Sequence, residues 1–206
     1  ISLYEATFKP TYLDTAEGWI ENVEIHYRDH DNGGYFYSAD DAEALITRTR
    51  TVVDSAIPAG NGVMVQVLAK LFHLTGNDRY RADATASLRA FAPEAHSNFL
   101  AVPTLLNAFD LLTNATQVVI IGPAQLNATQ DLTRQVFRAS VPNLAFLKLE
   151  TTDKLPPTHP AAGKMQINDQ PTAYVCMGTV CSQPITGVDE LGEALSQTSL
   201  RGFQAQ

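Results

Sequence analysis

The chain has 206 residues, of which 45% are hydrophobic and 17% charged, so it can form one large domain or two small ones. Its formal net charge of −8 argues against nucleic acid as a partner, because phosphate binding depends on clustered lysine and arginine. No apolar run approaches the roughly 20 residues that a membrane helix needs, and the low cysteine content favours a reducing, cytoplasmic location.

Residues 1–114 show helical periodicity. Gly76 is placed to end the second predicted helix, and Asn77 or Asp78 to cap the third. A short apolar helix over Thr104–Leu112 closes this half, and short turns favour antiparallel helical hairpins. The apolar residues that recur at three- and four-residue spacing are Leu13, Ala16, Trp19, Ile20, Val23 and Tyr27, then Val63, Val67, Leu68, Leu71 and Phe72, then Tyr80, Ala84, Leu88 and Phe91.

The pattern changes at Thr116, where short β-branched and apolar runs begin. A strand–helix–strand order with a crossover helix predicts a small three-stranded parallel α/β unit. We therefore expect two domains, residues 1–114 and 115–206, with a frayed tail after Gln197. The predicted elements are strands near 117–122, 145–149 and 172–176, helices over 126–140 and 188–195, and a proline-rich loop over 155–171.

The most distinctive stretch is the connection between the first two long helices, residues 33–61. It carries three consecutive aromatics, several carboxylates, two arginines and a Pro-Ala-Gly-Asn turn directly before a helix. Connections in compact domains usually take about 4–6 residues, and much longer ones are often functional. This one is too rich in apolar residues to be a solvated tether, so we predict an ordered surface loop that carries a site.

Asp40, Asp41 and Glu43 are the candidate catalytic residues of this loop. The aromatics just before them include Tyr35 and Tyr37, which are candidate substrate-binding residues. Sugar sites commonly combine carboxylates for acid–base chemistry with flat aromatic faces for the ring. The alternative is a helix N-terminus, with an aspartate as its cap and Glu43 in its first turn.

Arg48, Asp54 and Asn61 complete the candidate substrate-binding set. Arg48 and Arg50 can bind a substrate or hold the loop through internal ion pairs. Asn61 follows Gly60 at the start of a helix, where it is either a ligand residue or the N-cap. We expect at least one arginine to hydrogen-bond one of four acids in the loop: Asp40, Asp41, Glu43 or Asp54.

Cys176 and Cys181 form a pair with four intervening residues. A redox pair is one interpretation, although the usual motif has two intervening residues. Two thiols without a nearby histidine do not make a closed zinc site, so buried structural thiols are the favoured interpretation. His26 and His30 lie one helical turn apart but lack a third convergent ligand, so no metal and no cofactor are predicted.

Several spaced motifs stand out along the chain. In chain order they are Gly33-Gly34-Tyr35-Phe36, the run from Ala39 to Ile46, Arg48, Asp54, Pro58-Ala59-Gly60-Asn61, Leu74-Thr75-Gly76 with Tyr80, and Ala173-Tyr174-Val175-Cys176 with Cys181 and Pro184. Together they resemble the motifs of one family, the thioredoxin-domain-containing proteins typified by spermatogenesis-associated protein 20. Ala59 stands where that family usually has serine.

The resemblance implies an N-terminal thioredoxin-like domain followed by a six-hairpin α/α toroid similar to sugar-processing enzymes. The chain has no thioredoxin-like Cys-x-x-Cys, and residues 1–114 have room for only about four or five helices of ordinary length. It also begins at Ile1 rather than at Met. We therefore expect the C-terminal portion of such a protein, an incomplete toroid followed by the α/β unit, which is not competent alone. The parent would be a carbohydrate-active or carbohydrate-binding protein, epimerase- or glycoside-hydrolase-like, with a sugar ligand.

Two alternatives to the carbohydrate function stay open. One is a non-catalytic structural or interaction module, and the other is a thiol-redox module that uses the cysteine pair. An incomplete ring would also expose apolar surface, because inner helices such as Val63–Leu74 are apolar on more than one side. We therefore expect self-association, or binding of a partner chain, through the N-terminal helical half.

Overall fold

The computed structural model describes residues 1–43, 46–152 and 155–204. Ala44 and Leu45, which belong to one of the motifs given above, lie outside the described residues. The helices of the described part are α1 (Ser2–Thr7), α2 (Pro10–His26), α3 (Gly60–Thr75), α4 (Asp78–Ala90), α5 (Ala92–Ser97), a 3-10 turn (Phe99–Ala101), α6 (Pro103–Asn114), α7 (Asn127–Arg138) and α8 (Val188–Gln204).

The predicted helices of the first half are confirmed, together with the signals at their ends. Gly76 follows α3 with a φ of 70°, a left-handed conformation that glycine adopts at little cost. The side chain of Asn77 then caps α4 by accepting a hydrogen bond from the N–H of Arg79 at 3.0 Å. The tail after Gln197, which was expected to be frayed, instead continues α8 as far as Gln204, and the final two residues lie outside the described part.

Three strands begin within a residue of the predicted positions: β1 (Thr116–Ile121), β2 (Leu144–Leu149) and β3 (Thr172–Met177). β1 and β2 are parallel and are joined through α7, which confirms the predicted strand–helix–strand unit. In the described part of residues 1–114, β pairing is limited to a bridge between Arg28 and Tyr35.

The expectation of a three-stranded parallel sheet is wrong. The sheet has four strands in the order β2-β1-β3-β4, and β3 runs antiparallel to β1. A parallel neighbour needs a crossover connection, usually a helix, and the described part of residues 150–171 contains turns but no helix. β4 (Val180–Cys181) then pairs antiparallel to β3 through a two-residue connection, Gly178 and Thr179.

The chain divides into two compact units. Unit 1 comprises Ile1–Phe72 and Asn77–Leu112, and unit 2 comprises His73–Gly76 and Thr113–Gln206. No helix in the described part is both long and apolar enough to cross a bilayer. The core of unit 1 contains Ile20, Tyr35, Val52, Val65, Leu68, Leu71, Tyr80, Ala84, Phe91, Val102, Leu105 and Ala108, and unit 2 buries Val118, Ile120, Leu132, Val136, Phe146, Leu147, Leu191 and Leu195.

Candidate functional site

The long connection between α2 and α3 is ordered over its described residues, as predicted. It starts with a tight turn in which Gly33 and Gly34 both have positive φ, 76° and 77°. The N–H of Asp29 donates to Gly34 O, and the N–H of Gly33 donates to Asp29 O, both at 2.9 Å. A Cβ on Gly34 would lie only 2.6 Å from the Phe91 ring, so glycine is required for both its backbone and its space.

Asn61 fixes the aromatic segment that follows this turn. Its side chain is 1% exposed, its Oδ1 accepts from Tyr35 N at 2.7 Å, and its Nδ2 donates to Tyr35 O at 3.0 Å. Nδ2 also donates to Thr51 O at 2.9 Å. Asn61 is the second residue of α3. The interpretation of Asn61 as an N-cap is therefore wrong, because it lies inside α3 and its polar atoms hold the loop. Its assignment to substrate binding stays a prediction.

Asp54 ties the far end of the loop to two helix beginnings. Its Oδ1 accepts from Ala59 N, directly before α3, and its Oδ2 accepts from Thr104 N in the first turn of α6, both at 2.7 Å. Burial alone would raise the pKa of Asp54, but these N–H donors outweigh burial and the pKa is lowered. Its carboxylate thus satisfies two otherwise unpaired amide groups, which is a structural role. The sequence analysis had assigned Asp54 to substrate binding.

Both arginines of the loop make internal bonds within unit 1, but their partners are not the predicted acids. Arg48 donates to the carbonyl oxygens of Ser38 and His26, and its guanidinium lies 4.4 Å from the centre of the Phe36 ring. Arg50 donates to Gly33 O and pairs with Asp29 at 3.2 Å. Among the described ion pairs, none joins either arginine to the four acids named above. That prediction is wrong because Asp29 lies at the glycine turn and takes the role of anionic partner.

Tyr35, a candidate substrate-binding residue, is almost completely buried. It is 3% exposed, and its hydroxyl donates to Glu24, whose carboxylate also receives Arg28. Arg28 in turn pairs with Asp83 at 2.7 Å. Burial, together with Glu24, raises the pKa of Tyr35. Sequence reasoning missed this network, although Glu24 lies four residues after Ile20 on the predicted buried face of α2, which was the available signal.

The candidate catalytic acids lie on the exposed side of the loop. His26 Nδ1 donates to Asp40 Oδ1 at 2.8 Å and lies 3.7 Å from Asp41 Oδ2. This hydrogen bond raises the pKa of His26 and lowers the pKa of Asp40. The alternative of a helix N-terminus is wrong for the described residues, since 40–43 form bends. Glu43 is exposed on the same segment.

The ligand atoms of His26, Asp40 and Asp41 lie within 4.8 Å of one another, which is the spacing that a cation site needs. Both aspartates are exposed, and the hydrogen bond from His26 accounts for the position of Asp40. Arg48 adds a positive charge that acts on Asp40. These features favour an ion pair over a divalent cation site.

A cavity of about 190 Å³ opens beside the aromatic segment. Its exposed wall is Tyr37, which is 51% exposed and packs against Gly60, where a Cβ would lie 3.2 Å from the ring. The cavity therefore depends on glycine at the start of α3. The lining is mostly aromatic and apolar: Val23, Tyr27, Tyr35, Phe36, Tyr37, Gly60, Asn61 and Met64.

Cys176 and Cys181 are joined by a disulfide, so the interpretation of both as buried free thiols is wrong. They lie opposite each other on β3 and β4. Gly178 has a φ of 57° in the connecting turn, which brings the two strands together. Cys176 is 2% exposed, whereas Cys181 is exposed.

No family model matches the chain. Spermatogenesis-associated protein 20 of Homo sapiens is 28% identical over 200 residues, which are 95% of this chain and 25% of that protein. The Rattus norvegicus protein of the same name is 27% identical over 202 residues, 96% of this chain and 26% of that protein. An uncharacterized protein of Caenorhabditis elegans is 21% identical over 198 residues, again 96% of this chain and 27% of that protein.

The chain thus spans about a quarter of the length of these relatives. Over 95–96% of its length, the chain is similar to proteins named spermatogenesis-associated protein 20.

Proposed function

We propose that the chain forms the sugar-binding part of a carbohydrate-active or carbohydrate-binding protein. The single observation that carries this proposal is the cavity beside Tyr27, Phe36 and Tyr37. Flat aromatic faces provide large, rigid contact area for the apolar faces of a sugar ring. Its volume of about 190 Å³ is below the roughly 300–1,000 Å³ of pockets for drug-sized ligands, so the proposed ligand is a single sugar ring.

Tyr37 is the residue on which binding would depend most. Its ring is half exposed at the cavity wall, and its backbone is held in place because its N–H donates to Thr49 O at 2.9 Å. The phenol can donate to or accept from a sugar hydroxyl. Asp40 and Asp41 follow in the same loop and offer further acceptors for hydroxyl groups.

The carboxyl groups of the loop support sugar binding rather than acid–base catalysis. A general acid needs a carboxyl group that keeps its proton near neutral pH, so its pKa must be raised. The pKa of Asp40 is instead lowered by its hydrogen bond with His26. Asp41 and Glu43 are exposed to solvent.

We also propose that unit 1 is one sector of a helical-hairpin toroid. Further helical hairpins of the same protein, or a partner chain, would complete the ring. Large apolar side chains are exposed on unit 1, including Trp19 (72%), Ile57 (72%), Phe99 (61%) and Leu100 (78%). Exposed apolar surface of this kind commonly becomes an interface. Self-association or a partner chain would cover it.

A non-catalytic interaction module is the second candidate function. The candidate substrate-binding residues Arg48, Asp54 and Asn61 favour it, because all three form hydrogen bonds to other parts of unit 1. In that case the loop holds the helices in place, and the cavity beside Tyr37 has no sugar ligand.

Ligand-observed NMR with a monosaccharide library separates the two candidates. We expect weak binding by at least one sugar, and loss of that binding in Tyr37→Ala but retention in Tyr37→Phe, which keeps the ring. Trp19→Ala is the matched control, because Trp19 is an exposed aromatic of the same unit that does not line the cavity. Failure of every sugar to bind, or equal loss in both alanine variants, would favour the interaction module.

A further inference from the structure

The disulfide of unit 2 lies at an edge of the sheet and joins two cysteines that differ in their exposure to solvent. Cys176 is buried within β3, whereas Cys181 is exposed on β4, the last strand in the sheet order. A thiolate that approaches from solvent therefore reaches Cys181 more readily than Cys176. Accessibility of this kind decides which sulfur of a disulfide is attacked.

A groove lies beside the exposed sulfur. It has a volume of about 480 Å³ and lies between the hairpin and α8, both within unit 2. Met177, Val180 and Cys181 line it from the hairpin, and Ala194, Gln197 and Thr198 line it from α8. This lining is uncharged and partly apolar, so it can accept the uncharged residues that flank a reactive thiol. β4 is also a sheet edge to which an extended peptide can add.

We propose that Cys176–Cys181 is a thiol–disulfide exchange site that is reduced by a dithiol through attack on Cys181 Sγ. This proposal does not depend on sugar binding by unit 1.

The exchange proceeds in two balanced steps. A thiolate of the dithiol bonds to Cys181 Sγ, the bond between the two protein sulfurs breaks, and Cys176 leaves as a thiolate that takes up a proton. The second thiolate of the dithiol then attacks the dithiol sulfur that is bonded to Cys181. The bond to Cys181 breaks, and Cys181 leaves as a thiolate that takes up a proton. The dithiol is oxidised to a disulfide, and the protein cystine gains two electrons and two protons.

The hairpin does not depend on the disulfide alone. The N–H of Ser182 donates to Val175 O at 2.7 Å, and the N–H of Val175 donates to Ser182 Oγ at 3.1 Å. Ala173 and Ile185 exchange a further pair of backbone hydrogen bonds at 2.7 and 2.9 Å. Reduction therefore leaves the two cysteines close together, ready to be oxidised again, which a reversible exchange site requires.

The test is reduction of the intact chain by dithiothreitol at neutral pH without denaturant, followed by acid quench, alkylation and intact mass. We expect two alkylated cysteines while the far-ultraviolet circular dichroism stays unchanged. A disulfide that resists reduction until denaturant is added would overturn the proposal and identify a purely structural cross-link.

A second measurement identifies the attacked sulfur. Single variants Cys176→Ala and Cys181→Ala, each checked for folding by circular dichroism, are incubated with oxidised glutathione and analysed by peptide mass. Because access limits the reaction, Cys181 should form the mixed disulfide about tenfold faster than Cys176, or more. Equal rates, or faster reaction at Cys176, would contradict attack at Cys181.

Discussion

The side chain of Asn61 pairs with both backbone polar groups of Tyr35, through an Oδ1–N distance of 2.7 Å and an Nδ2–O distance of 3.0 Å. The carboxamide thus makes the pair of hydrogen bonds that the backbone of a neighbouring strand would make, and it holds Tyr35 in a long loop. Tyr37, two residues later, is positioned at the cavity wall by the same segment.

Replacing Asn61 with alanine should destabilise unit 1 strongly. The change leaves Tyr35 N, Tyr35 O and Thr51 O without their partner in a buried place, so we expect a loss of about 2–4 kcal/mol in the free energy of unfolding. Urea denaturation measures it. Asn22→Ala, at an exposed position of α2, is the control and should have little effect. Similar values for both variants would mean that the Asn61 bonds contribute little.

The Asp54 carboxylate predicts a pH dependence of stability. Its pKa is lowered in the folded chain, so its contribution is present above the unfolded value of about 4 and is lost as pH falls below it. At pH 7, Asp54→Asn should cost about 1–2 kcal/mol, as for loss of a helix cap. The difference between wild type and variant should shrink on going to pH 3, as measured by chemical denaturation. Asp14→Asn, an exposed change on α2, serves as the control. A difference that stays constant with pH would argue against the two N–H bonds as its cause.

His26 should titrate above its ordinary value because Asp40 stabilises the protonated ring. The favourable interaction is therefore present below about pH 6.5 and lost as pH rises through the raised pKa. NMR titration of the ring protons should show a lower pKa for His26 in Asp40→Asn and no change in Asp14→Asn. An unchanged His26 titration in Asp40→Asn would show that the hydrogen bond between His26 and Asp40 does not persist in solution.

Exposed apolar residues on unit 1 predict that the isolated chain self-associates at micromolar concentration. Light scattering should report a mass above that of the monomer, and the double variant Phe99→Ser with Leu100→Ser should reduce it. Met165→Ser, which removes an exposed apolar side chain from unit 2, should not. A monomeric wild type would remove the support for an interface on unit 1.

The disulfide should contribute modestly to stability, because it closes a loop of only a few residues. In the chain-entropy description, its reduction lowers the free energy of unfolding by about 2 kcal/mol. Thermal unfolding with and without dithiothreitol measures this change, and the double variant Cys176→Ala with Cys181→Ala, which has no disulfide to lose, is the control. A much larger effect would indicate that the hydrogen bonds of the hairpin form only when the disulfide is intact.

Positions of helices and strands were predictable because periodicity and β-branched runs are local signals. The direction of β3 was not, since it depends on the path of residues 150–171, which have no periodic pattern to read. The loop was predicted to be ordered, but the partners within it were not. Asn61 reaches back 26 residues to Tyr35, and Asp54 forward 50 residues to Thr104, and no spacing rule connects residues so far apart.

The boundary between the units has a practical consequence for dividing the chain. Unit 2 includes His73–Gly76, the last residues of α3 and the turn after it, although they are separated in sequence from the rest of that unit. Gln117 in β1 donates to His73 O at 2.9 Å. An expression clone that stops at residue 114 would therefore remove the partner of His73 from the end of α3, and one that starts at 115 would lack a piece of its own unit. Deletion analysis should accordingly keep both halves in one polypeptide and inactivate each by point substitution.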